Sequence, residues 1–251
     1  MNKLKTMREG GAILGEIRAL LYDFTQVGVS PAAIEAHTLK LIKERGVEPS
    51  FTRVPKYHWA TCINLNDGIV HGIPTSSDGL KDGDVVTVDL GVYYLGFHTD
   101  CAFTKVVGSS TPAKDAFIAG GLASLKAALA VIKPGNRVGH IGAAVEQTLN
   151  KSGLSPAREL TGHGVGRELH EDPMIPNYLS GKLASTPQLV LGQTLAIETI
   201  YVQGKPALII DRDGWTISTK DGRLSGVFEE TVEVVSDGCS ILTTPSLFQI
   251  T

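Results

Sequence analysis

Helix-period and strand-period segments follow one another in an order that occurs twice along the chain, and this order restricts the fold more than any other feature. Ile13, Ile17, Leu20, Leu21 and Phe24 recur at helical spacing. Ser30-Pro31 supplies an N-cap and a first-turn proline for a second helix running to about Arg45 and closed by Gly46. Over residues 59–107 the period changes to two and β-branched residues dominate, above all in DVVTVDLGVYY and FHTDCAFTKVVG. Two further helices are expected over 113–133, ended by Pro134-Gly135, and over 138–151. From about 157 strands return: ELTG, QTLAIETIYV, KPALII, GWTIST and GVFEETVEVV. The segments VGVSPAAIEAHTLKLIKERGVEPS and NRVGHIGAAVEQTLNKSGLSP echo one another, each with Val-Gly before a helix, a central Glu and a Gly break. Two αβ halves, about 1–110 and 111–251, within one domain would set helices on one side of a curved antiparallel sheet, an α+β architecture.

At 251 residues and 42 % apolar, the chain can bury a substantial core. A net charge of −3 argues against a polybasic surface, so nucleic acid is not expected as a direct partner. Cys62, Cys101 and Cys239 are odd in number, far apart and form no CxxC, which excludes a disulfide framework or zinc ribbon and fits a reducing compartment. Glu9 and Glu16 break any apolar signal core near the N-terminus. The longest uncharged stretch, Leu183 to Ile197, carries Pro187, Gly192 and two glutamines and cannot span a membrane. A cytoplasmic protein without membrane contact is expected.

Chemistry concentrates in carboxylates that interrupt apolar strands. A two-residue turn centred between residues 94 and 95 would set Asp89 and Asp100 directly opposite, with Cβ atoms about 4.5–5.5 Å apart. Like charges at that distance repel unless a cation such as a divalent metal lies between them. An offset hairpin, or aspartates facing water, is the alternative. Glu198 in TLAIETIYV and Glu229 in GVFEETVEVV must likewise face solvent or be paired. Alternation groups Glu229 with Val227, Thr231 and Glu233, and Glu230 with Phe228, Val232 and Val234, without fixing which face looks at a site. His163 and His170 lie among Gly162, Gly164 and Gly166, which let the backbone approach a ligand closely. His71, followed by Gly-Ile-Pro, fits a tight and well-fixed turn. His37, His58, His98 and His140 lack such surroundings and read as structural or exposed, although His98 shares a strand face with Asp100 and could lie behind it. Four carboxylates with one histidine suit Mn²⁺, Fe²⁺, Co²⁺ or Zn²⁺. About four negative charges are balanced by two divalent ions, the stoichiometry of a two-metal hydrolytic site.

With these residues in order, the sequence resembles the type I methionine aminopeptidases of the pita-bread metallopeptidase fold. The motifs VHGIP, VDLGVYYLGFHTD, TGHGVGRELHEDP, LAIET and FEET follow in the family's order over nearly the whole chain. The resemblance implies five metal ligands, Asp89, Asp100, His163, Glu198 and Glu229, with Asp100 and Glu229 bridging two ions; the motif's ligand directly after the aromatic selects Glu229 over Glu230. It implies that His71 lies near the substrate amine and scissile bond, that His170 bonds the substrate carbonyl, and that Glu198 also shuttles the proton of the attacking water. Tyr57, Cys62, Leu169 and Trp215 would line the methionine pocket. The implied activity is removal of N-terminal methionine from peptides and nascent proteins with a small second residue, by a hydroxide bridging two metals. Transient ribosome association and a monomeric state are expected alongside it. The short interval between Glu198 and Glu229 leaves no room for the helical insertion of type II enzymes.

Three positions depart from the family pattern: Thr199 where proline is usual, Glu230 where histidine is usual, and Leu169 where an aromatic is frequent. On this reading Glu230 adds a negative charge beside the metals. Two other readings compete. An Xaa-Pro-directed peptidase of the same fold shares the five ligands, but the missing extra N-terminal domain and the EDPMIPNY segment favour the methionine branch. A catalytically silent binding protein would be expected to lose ligands, and all five are present.

Overall fold

The computed structural model describes residues 2–250. Helices α1 (Lys3–Phe24) and α2 (Pro31–Glu44) precede strands β1 (Glu48–Pro49), β2 (Thr61–Leu65), β3 (Gly68–Val70), β4 (Val85–Tyr94) and β5 (Phe97–Val106). Helices α3 (Pro112–Ala130) and α4 (Val138–Lys151) then precede β6 (Ser155–Pro156), β7 (Thr161–Gly164), β8 (Glu171–Pro176), β9 (Thr194–Val202), β10 (Leu208–Ile210), β11 (Ile217–Thr219), β12 (Ser225–Val235) and β13 (Gly238–Ile241), with a last turn α5 (Leu247–Ile250). Helix ends follow their local chemistry. The Ser30 side chain accepts from the Ala33 N–H with Pro31 in the first turn, and Thr111 caps α3 in the same way ahead of Pro112.

Ten strands form one antiparallel sheet, with the path β1-β4-β5-β12-β9-β7-β8 and β2, β6 and β13 attached to β4, β9 and β12. A separate three-stranded sheet, β10-β11-β3, stands beside it. Helices α1 and α3 pack on β4, β5, β9 and β12 and bury the main core, which includes Leu14, Ile17, Leu21, Phe103, Phe117, Leu125, Tyr201 and Phe228. The two short strands take corresponding places: β1 follows α2 and pairs with β4, and β6 follows α4 and pairs with β9. The sheet face away from the helices is left for a site.

The β4–β5 hairpin corrects the sequence expectation. Its turn is Leu95-Gly96, not residues 94 and 95, and Tyr94 pairs with Phe97. Both turn residues have positive φ, 46° and 92°, as a primed two-residue turn requires, and glycine takes that conformation without strain. Register follows the turn, so Asp89 lies opposite Ala102 and Asp100 opposite Gly91. The aspartates are diagonal neighbours rather than direct partners. A slip of two residues keeps both on one face.

Candidate metal centre

Two rows of paired residues cross the sheet and build the site. In the first, Asp89 pairs with Ala102, Ala102 with Glu229, and Glu229 with Glu198, across β4, β5, β12 and β9. In the second, Gly91 pairs with Asp100, Thr231 with Ala196, and Ala196 with His163. The two pairs of strands in this row are joined by Thr231, whose hydroxyl donates to the Asp100 carbonyl at 2.7 Å and accepts from the Asp100 N–H at 2.9 Å. Paired residues share a face, so all five predicted ligands project from the side opposite the helices. The small residues Ala102 and Ala196 between them leave room above the sheet. Gly162 lets β7 close on β9, since a Cβ there would stand 2.7 Å from the Ala196 carbonyl oxygen.

The donor set fits a divalent cation. Ligand atoms of Asp100, His163 and Glu229 lie within 4.8 Å of one another. Glu198 Oε1 is 3.7 Å from His163 Nε2. The Asp89 Oδ1 and Asp100 Oδ1 atoms are buried and have no hydrogen-bond partner, an arrangement whose cost a metal would remove. His163 Nδ1 lies 2.8 Å from the Gly164 carbonyl. A carbonyl can only accept, so Nδ1 carries the proton and Nε2 presents its lone pair to the carboxylates.

Electrostatics point the same way. Burial raises the Asp89 carboxyl to about 7. Burial, then the charges of Asp89 and Glu198, hold Asp100 well above the usual range. Glu229 is raised by burial and by Asp100, Glu198 and Asp89, and Glu198 by burial and Asp89. Crowded like charges oppose ionisation unless a cation joins them. His163 is lowered to about 4 by burial and by His170, so its ring is neutral near pH 7, the form that ligates.

Beside the carboxylates a cavity of about 170 Å³ opens, lined by Tyr57, Cys62, His71, Leu169, His170 and Trp215, together with the four acids and His163. Phe51, Val54 and Val70 complete its wall. Tyr57, Cys62, Leu169 and Phe51 form a buried apolar cluster with Val54, Trp59 and Trp215 packed against it. The Tyr57 ring meets Trp215 edge-on at 5.2 Å, and its hydroxyl donates to the Thr61 carbonyl at 2.7 Å. The predicted tight turn at His71 has φ 60°, a conformation costly for a non-glycine residue. Gly72 holds it: its N–H donates to Asn64 Oδ1 at 2.9 Å and its carbonyl accepts from the Ile63 N–H at 2.9 Å. The His163 and His170 rings meet edge-on at 4.4 Å, which places His170 beside the acids.

Sequence reasoning missed Phe51, Val54 and Thr231, and it misplaced Glu230. Phe51 sits in a 3₁₀ turn that carries no periodic signal. Glu230 is not beside the five residues. Alternation sends it to the helix face, where it is fully buried and ion-paired with Arg18 at 2.9 Å. Thr199 lies mid-strand opposite Phe228 and is fully buried, so the departure from proline leaves the β9–β12 register unbroken. Leu169 lines the cavity wall. His98 is buried, with Nδ1 2.5 Å from the Ser50 hydroxyl.

The profile of metallopeptidase family M24 matches residues 5–236. The chain belongs to that family. Within M24, the methionine aminopeptidase of Aquifex aeolicus is 34 % identical over 247 residues, covering 96 % of both chains. The crystal structure of methionine aminopeptidase from Thermotoga maritima superposes with a TM-score of 0.92 at 34 % identity, again over 96 % of each chain. Prolidase from Pyrococcus furiosus has the same fold, with a TM-score of 0.76 at 22 % identity, but this chain covers only 64 % of its length. The architecture is thus the α+β pita-bread fold, and M24 membership implies divalent metal. Among the described residues no helix is long and apolar enough to cross a membrane.

Proposed function

We propose that this chain is a metal-dependent methionine aminopeptidase that removes N-terminal methionine from peptides and nascent proteins. The observation that carries the reading is a carboxylate–imidazole cluster set at the side of an apolar, aromatic-walled cavity. Kinship with curated methionine aminopeptidases over nearly the full chain supports it. In this reading Asp89, Asp100, His163, Glu198 and Glu229 would hold two divalent ions. When bound, such ions polarise a substrate carbonyl and lower the pKa of a water to near neutrality.

The chain's own residues supply the rest. Tyr57, Cys62, Leu169 and Trp215 take up the apolar methionine side chain and exclude water from it. Glu198 accepts the proton of the attacking water and passes it to the departing amine. His170 donates to the carbonyl oxygen as negative charge develops there. His71, held in its strained conformation by Gly72 and Asn64, stands by the substrate amine and scissile bond. A small second residue is part of this reading, and His71, His170 and Ile200 line the opening beyond the cluster where that residue would lie.

The test is peptide hydrolysis by metal-stripped protein refilled with Mn²⁺, Fe²⁺, Co²⁺ or Zn²⁺. Methionine should be released from Met-Gly and Met-Ala peptides, but not from Met-Lys or Ala-Pro. Cleavage of Ala-Pro alone would move the chain to the proline-directed branch. No cleavage with any metal would sink the enzymatic reading.

A further inference from the structure

On the helix side of the sheet, directly behind the acids, lies a second charged group that the reaction does not use. Arg18 of α1 and Glu230 of β12 are both 0 % exposed, and Arg18 Nη1 donates to Glu230 Oε2 at 2.9 Å. The same Nη1 donates to the Glu229 carbonyl at 3.3 Å. Arg18 Nη2 donates to the carbonyls of Thr243 at 2.8 Å and Pro245 at 2.7 Å. Glu230 accepts from the Leu247 N–H at 2.6 Å and from the Thr243 hydroxyl. One guanidinium therefore joins α1, the ligand-bearing strand β12 and the segment after β13. The face of α1 that meets this segment is Gly11, Gly15 and Arg18, and a Cβ on Gly11 would stand 2.6 Å from the Leu242 carbonyl oxygen. Backbone-to-backbone approach sets the depth at which the guanidinium reaches the sheet.

A buried ion pair seldom stabilises more than apolar residues of the same volume would. Its geometry here has a specific consequence. Glu229 and Glu230 are consecutive, so their side chains leave the strand on opposite faces. Arg18 grips the carbonyl of one and the carboxylate of the other, which fixes the peptide between them and with it the direction of the Glu229 side chain. Arg18 also neutralises Glu230, which would otherwise put a fifth negative charge behind four crowded carboxylates.

We propose that Arg18 and Glu230 are a positioning pair for the metal centre, holding Glu229 in its ligating direction, with the segment 242–247 as part of the support. The proposal rests on the metal-site reading above. Its test is calorimetric titration of Mn²⁺ into metal-free wild type, Arg18→Met, Glu230→Met and the double variant, with melting midpoints measured in parallel. Each single variant leaves one buried charge unpaired and should melt lower, while the double variant should recover its midpoint. Mn²⁺ affinity should fall about 10- to 100-fold in the singles and remain low in the double, as for other residues that orient a ligand from behind. Wild-type Mn²⁺ affinity in a folded double variant would overturn the proposal, because stability would then be the pair's only role. If the double variant does not fold, Arg18→Lys decides: it keeps the charge but loses the fork, and unchanged affinity there overturns the proposal equally. Wild type that takes up no Mn²⁺, Fe²⁺, Co²⁺ or Zn²⁺ would overturn the metal-site reading itself, a result distinct from equal affinities.

Discussion

Glu198 is asked to do two things, ligate a metal and move a proton, and a single substitution separates them. Glu198→Gln keeps the shape and an oxygen donor but cannot carry the proton. The expected result is a fall in turnover of about 10²- to 10⁴-fold with metal still bound. Steady-state kinetics on a Met-Ala peptide, paired with metal content of the same sample, checks it; near-normal turnover would remove Glu198 from the mechanism. At this scale the sequence was highly legible. Asp89, Asp100, His163, Glu198 and Glu229 stand out because each breaks an apolar strand or a glycine-rich run, and the structure gathers all of them around one cavity. Phe51 and Thr231 carried no such mark. An aromatic in an irregular turn and a threonine in a strand are ordinary residues until their neighbours are known. Glu230 was misread for the opposite reason. An acid beside a proposed ligand suggests the same site, and only the strict alternation of β12 sends it to Arg18.

The rows across β4, β5, β12 and β9 make a prediction about elements rather than single ligands. Ala102 is fully buried between Asp89 and Glu229, and it ligates nothing. Its smallness keeps open the space into which the acids point. Ala102→Leu should cost about 1–3 kcal/mol of stability through overpacking, and it should reduce bound metal well below the wild-type content. Metal analysis of the purified variant, with far-UV circular dichroism to verify the fold, tests this. Retention of full metal content would mean that the rows do not define the site. Elements themselves were readable where periodicity and caps agreed, as in α2 with Ser30-Pro31 and α4 over Val138–Lys151. The hairpin register was not readable from index arithmetic alone. The turn shifted by one residue because Gly96 accepts positive φ and Tyr94 is held in the ladder, and a one-residue shift of the turn moves the pairing by two. Short strands such as β1 and β6 have no period of their own and exist only through their pairing with β4 and β9.

At the scale of the whole molecule, the acids couple the stability of the fold to pH and metal together. In the metal-free fold Asp89 titrates at about 7, and Asp100, Glu198 and Glu229 are also raised, all with burial as the leading cause. A carboxyl raised on folding gives its full stabilisation below its unfolded pKa, about 4. That stabilisation is lost as pH climbs through the folded value. Metal-free protein therefore pays a growing penalty from about pH 4 upward, and bound divalent ions lift it by taking the deprotonated set. His98 and His163, lowered to about 4 by burial first, act in the other direction on absolute stability. Above about pH 5 both are neutral with or without metal, so they cancel in the difference between the two forms. The gap in melting midpoint between Mn²⁺-saturated and chelator-treated protein should therefore widen from about pH 5 to 8. A site filled at about 100 times its dissociation constant contributes about 2.7 kcal/mol, or roughly 5–10 °C in a chain of this size. Differential scanning calorimetry in matched buffers measures that gap. A gap that stays constant or shrinks with rising pH would mean that these carboxylates do not exchange protons for metal, and that their burial serves the fold alone.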